Sequence, residues 1–212
     1  MTIKATSLLS IVAIWVTSIL AVAMNDDHWW ILIFALLATG AVGASAWRRL
    51  GLSRLIAISG TWAGVALAAA VEDGSAWPSI FGFLTTGAVV YSTMRRDAWI
   101  LGAGVAAAWL ATGLAVAFEG SDAAWMCVFA FLTAGALANS NRELGRGVAA
   151  MVWWGTAAGI VLIFGAGWAW LSVIAFILTA SSIGFGGFNF PRGLEWDLFD
   201  RDDDGDRVKV VH

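Results

Sequence analysis

The chain has little that would break a helix and little that carries charge. Two of its 212 residues are proline, and 13 % are charged, about half the share of an ordinary soluble domain. With so few prolines, long helices run uninterrupted. A single cysteine, Cys127, excludes an intrachain disulfide, so cysteine usage says nothing about compartment. The lysines are Lys4 and Lys209 and the histidines His28 and His212, all outside the apolar runs. That excludes retinal on a membrane lysine and argues against haem or chlorophyll on a membrane histidine. No Asp, Glu, Lys, Arg or His falls in the middle of an apolar run, where proton relays and carriers of charged substrates place such groups. There is no nucleophile–base set and no metal-ligand set, so the expectation is a protein that is not an enzyme and holds no cofactor.

What the chain has in abundance is apolar surface. Hydrophobic residues make up 60 %, and mean hydropathy is +0.80. The apolar runs are continuous rather than alternating, which favours helices over a barrel. Fourteen tryptophans punctuate them, and they fall in register. "WVTSILAVAMN" starts at Trp15, "WAGVALAAAVE" at Trp62, "WLATGLAVAFE" at Trp109 and "WGTAAGIVLIF" at Trp154. A second set, "WILIFALLATG", "WPSIFGFLTTG", "WMCVFAFLTAG" and "WLSVIAFILTA", starts at Trp30, Trp77, Trp125 and Trp170. Four after the tryptophan of this second set stand Phe34, Phe81, Phe129 and Ile174.

The sequence therefore predicts an all-α membrane protein of eight transmembrane helices, built from four tandem two-helix hairpins of about 47 residues in parallel orientation. The predicted helices are 6–24, 29–47, 55–71, 77–94, 98–117, 124–139, 148–164 and 168–186. The repeats span about 5–50, 51–97, 98–146 and 147–190, giving a bundle over 1–190 and an acidic cytoplasmic tail over 191–212. The first run follows a basic residue, as a signal peptide would. Trp15 is in register with the later helices, so a retained membrane helix is expected.

Charge distribution predicts orientation. All 12 basic residues (Lys4, Arg48, Arg49, Arg54, Arg95, Arg96, Arg142, Arg146, Arg192, Arg201, Arg207 and Lys209) fall on one side of this topology. Asp26, Asp27, Glu72, Asp73, Glu119 and Asp122 fall on the other. Both termini are expected in the cytoplasm, in a multi-pass protein of the plasma membrane. The scarcity of lysine and the abundance of alanine and aspartate point to a high-GC prokaryote or a halophile.

The tryptophans of the second set sit at helix ends, where an amphipathic ring suits the headgroup level. Those of the first set do not. Trp15, Trp62 and Trp109 lie ten residues before the outer turn, about 15 Å deep, where an indole N–H has no water to bond. At the same depth on the second helices stand Thr39–Gly40, Thr86–Gly87, Ala134–Gly135 and Thr179–Ala180. The expectation is that Trp15, Trp62, Trp109 and Trp154 each pack on one of these small-residue notches, with the N–H bonded to a threonine or a carbonyl. The alternative is an aromatic cage for a lipid, quinone or pigment.

Glu72 and Glu119 occupy equivalent outer positions and would attract cations at a pore mouth. Asn25 and Phe164 replace them in the outer repeats, so solvated turns are the plainer reading. In the tail, Asp200, Asp202, Asp204 and Gly205 match the first half of a calcium loop, but Val211 stands where the closing glutamate belongs. A weak divalent site on those three aspartates is the most that fragment implies.

Function is expected to be that of a scaffold or an accessory subunit of a membrane complex. Its partners would be membrane lipids and either another membrane protein or further copies of itself, with no nucleic acid. The alternative is a channel or transporter with a path between the hairpins, lined by residues such as Thr17, Thr61, Thr112 and Thr156.

Overall fold

The computed structural model describes residues 5–25, 27, 29–44, 50–71, 76–94, 98–140 and 144–181. They form eight α-helices: α1 (Ala5–Met24), α2 (Ile31–Ala44), α3 (Leu52–Ala69), α4 (Trp77–Tyr91), α5 (Trp99–Glu119), α6 (Met126–Ala138), α7 (Leu144–Phe164) and α8 (Leu171–Ser181). No strand occurs among the described residues. Four segments, Ala5–Met24, Leu52–Ala69, Trp99–Ala123 and Gly145–Phe164, are long and apolar enough to cross a membrane.

α4 and α6 are shorter than the sequence predicts, and the predicted end of α8 at 186 lies outside the described residues. At 15 and 13 residues, α4 and α6 measure roughly 20–23 Å, less than a hydrocarbon core of about 30 Å. The predicted end of α2 at 47 lies outside the described residues. The predicted end of α4 at 94 is wrong. Ser92 turns to extended backbone and its hydroxyl bonds the Val89 carbonyl at 2.7 Å, which closes the helix. The predicted start of α8 at 168 falls in a 3-10 turn, Ala166–Trp168. In the other direction, α3 and α7 start earlier than predicted and take Arg54 and Arg146 into their first turns.

The helices stack as two rows. α1, α3, α5 and α7 pack in sequence as one row, and α2, α4, α6 and α8 as the other, with each odd helix over its even partner. The odd helices run parallel, because Ser53 meets Gly102, Gly60 meets Ala106, and Gly64 meets Trp109 and Gly113. The even helices run against them: Thr6 reaches Leu50, Trp15 reaches Thr39, and Arg54 reaches Ser92 while Trp62 reaches Thr86.

Each row has its own repeating contact. In the odd row it is backbone against backbone. A side chain added at Gly102 would collide with the Ser53 carbonyl, and one at Gly147 with the Ile100 carbonyl. Both glycines lie seven residues before the tryptophan of their helix, and both carbonyls nine before that of the preceding one. Close approach through small residues is how helices gain contact in a bilayer, where lipid matches leucine in apolarity.

In the even row the contact is aromatic. Phe34 of α2 meets Phe83 of α4 at 6.2 Å, Phe81 meets Phe131 of α6 at 5.8 Å, and Phe129 meets Phe176 of α8 at 6.1 Å. The residue four after each tryptophan touches the residue six after the next. At the two ends of the row this pattern has no neighbour to touch. There the residues are Leu36 and Ile174, both exposed.

Candidate functional site

The polar chemistry lies between the two rows. Trp15 Nε1 donates to Thr39 Oγ1 at 3.0 Å, and Trp62 Nε1 to Thr86 Oγ1 at 3.0 Å. Each bond joins the two helices of one hairpin. Trp154 Nε1 instead donates to Thr133 Oγ1 at 3.1 Å, reaching from α7 back to α6 rather than to Thr179 on α8. Trp62, Trp109 and Trp154 are all fully buried. A threonine suits this role because it accepts and donates together: Thr86 takes the Trp62 proton while its own hydroxyl bonds the Gly82 carbonyl at 2.9 Å.

Thr133 escaped the sequence reading, which counted from Trp125 and arrived at Ala134. The outer turn of the third hairpin has one residue more than that of the second. Counting from the odd-helix tryptophans instead puts Thr39, Thr86 and Thr133 each at 24 residues. The glycines need a correction. A side chain added at Gly40, Gly87 or Gly135 would meet nothing within 4 Å, so these residues make no notch for an indole. One residue of helix turns the side chain by about 100°, and the threonine faces the odd row while the glycine beside it faces away. The close approach occurs between odd helices instead. Thr179 is buried and bonds the Ala175 carbonyl at 2.7 Å.

No ring contact joins any two of Trp15, Trp62, Trp109 and Trp154. Trp109 Nε1 is buried and has no hydrogen-bond partner, and neither has Thr85 Oγ1.

The charged groups sit at the helix ends. The buried Arg54 donates from Nη2 to the carbonyls of Ser92 at 2.8 Å and Met94 at 3.2 Å, where the carbonyl end of α4 favours a cation. Arg146 Nη1 donates to Ser140 Oγ at 2.6 Å. Both arginines stand eight before their tryptophan, and Ser92 and Ser140 both stand fifteen after theirs. At the opposite end, Glu119 Oε2 accepts from the Ala166 N–H at 2.8 Å. That bond ties the outer turn of the third hairpin to that of the fourth. The turns themselves depend on Gly120 and Gly165, whose φ of 71° and 91° suit glycine alone. Glu119 is thus a turn fastener in this structure, and Glu72 lies outside the described residues.

Among the described residues no group of three His, Cys, Asp or Glu comes together as a metal site. Asp200, Asp202 and Asp204 lie outside the described residues. No protein family, curated protein or solved structure matches this chain.

Proposed function

We propose that this chain is a non-catalytic scaffold or accessory subunit in the plasma membrane, crossing it eight times as four tandem hairpins with both termini in the cytoplasm. The eight crossings are supported by direction. Four parallel spanning helices in one chain need three return segments between them, and α2, α4 and α6 run the opposite way, as does α8. The orientation is supported by charge: Arg54 and Arg146 share one end of the bundle, while Asp27, Glu119 and Asp122 share the other.

The observation that carries the functional reading is the content of the space between the rows. Its polar side chains are tryptophan, threonine and serine, and most are spent on each other or on backbone carbonyls. Thr61 and Thr112, candidates to line a path, bond the Ala57 and Ala108 carbonyls of their own helices at 2.8 and 2.9 Å. Among the described residues this interior places no ionisable side chain between the rows at mid-bundle, and it suits a part that presents surfaces to other membrane components.

The test is purification from the native membrane in mild detergent, with mass spectrometry of co-migrating proteins, followed by ion-flux assays on the purified chain in liposomes. The expected result is a stoichiometric second protein and no flux. A chain that migrates without another protein and conducts ions, with flux reduced by Glu119→Gln, would overturn the reading in favour of a channel.

A further inference from the structure

The bonded pair Trp154–Thr133 has an image one hairpin earlier. Trp109 and Trp154 are equivalent, and Thr85 and Thr133 both stand eight after the tryptophan that opens their helix. One contact of each row recurs from one step to the next. In the odd row, Gly102 on Ser53 repeats as Gly147 on Ile100. In the even row, Phe81 on Phe131 repeats as Phe129 on Phe176. By this correspondence Trp109 on α5 and Thr85 on α4 are the counterparts of the bonded pair Trp154 and Thr133. In that image both groups are buried, at 1 % and 0 % exposure, and both lack a partner.

The α3–α5 contact accounts for the missing direct bond. Gly64 and Gly113 bring those two helices together so closely that a side chain on either would strike the other's backbone. The corresponding residues of the next step are Ala111 and Ala158. α5 thus lies closer to α3 at this level than α7 does to α5. The other hydroxyl within the pattern, Thr133, is taken by Trp154. An indole N–H in the bilayer interior carries a desolvation cost of about 1–3 kcal/mol if left alone.

We propose that Trp109 and Thr85 form a small polar site inside the bundle that holds one bridging water, or another neutral hydroxylic molecule of that size. The guest accepts from Trp109 Nε1, since indole is a donor only, and exchanges a bond with Thr85 Oγ1, which both donates and accepts. An ion is excluded by the absence of any charge to pair with it. The site stands on the packing of α3 to α7 alone and is independent of the scaffold role.

The test is indole 15N–1H NMR of the whole protein in nanodiscs, with the Trp109 signal assigned by its loss in Trp109→Phe. The expected result is a cross-peak from the Trp109 N–H to a bound water, with none from Trp62 or Trp154. In Thr85→Val the cross-peak disappears and the Trp109 shift moves, and Thr85→Ser restores both. The remaining indole signals report whether each variant keeps its fold. A Trp109 signal with no water cross-peak that ignores Thr85→Val would overturn the proposal. So would one that responds to Thr133→Val instead, since Trp109 would then share the hydroxyl that Trp154 uses.

Discussion

Thr86 and Thr112 look alike by composition and burial, and both bond a carbonyl one turn back in their own helix. Only Thr86 also receives a proton from another helix. Replacing each with valine separates the two roles. Thr86→Val leaves the Trp62 N–H buried and unpaired, at a cost of about 1–3 kcal/mol in unfolding free energy. Thr112→Val removes only a local bond, and its expected cost is below about 1 kcal/mol. Equal losses in an SDS or thermal unfolding series would contradict the assignment. The pairing of Trp15 with Thr39 and of Trp62 with Thr86 was legible in the sequence, because residue count converts directly into rise along a helix. Direction was not. Thr39 and Gly40 are neighbours in sequence yet face different ways, and the spacing that located both did not say which one the indole meets.

At the level of helices, their number and order were legible in the sequence, but the contacts between them were not. Phe83, Phe131 and Phe176 sit in the same repeat position and carry half of each aromatic contact. The sequence reading singled out only the other half, Phe34, Phe81 and Phe129. The exceptions explain themselves in the fold, since Leu36 and Ile174 fall where the row ends. Helix limits erred where a capping interaction decides them, as at Ser92, or where an arginine finds carbonyls to bond, as at Arg54. The backbone contact between α3 and α5 gives a direct test. Gly64→Ala sets a methyl group against the Trp109 carbonyl, and overpacking of this kind costs about 1–3 kcal/mol. Gly87→Ala points into open space and gains helix propensity worth up to about 1 kcal/mol. The two substitutions are expected to shift unfolding in opposite directions, and a loss of stability in both would place the close contact elsewhere.

For the molecule as a whole, two parallel rows with unlike ends make an open array rather than a ring. The even row stops where its phenylalanines stop, and α1 faces outward with Leu8, Val12, Val16 and Ile19 exposed. Each row thus extends sideways through contacts between successive helices. Composition and spacing were enough to expect helices in a membrane, because neither depends on which side chains meet. The open double row was not legible, since a parallel repeat fits an arc around a pore equally well. The account rests on every hairpin crossing the membrane and returning. Its most direct measurement is labelling of single cysteines by a membrane-impermeant maleimide in intact cells, on a Cys127→Ala background. The sites are the exposed outer-turn residues Asp122 and Gly167 and the exposed inner-turn residue Thr93. The account predicts that cysteines at 122 and 167 label from outside, and that one at 93 labels only after the cells are opened. Labelling of 122 and 167 from opposite sides would mean that α6 does not return across the membrane, labelling of 93 and 122 from the same side would mean that α5 does not cross it, and either result would contradict the four-hairpin array.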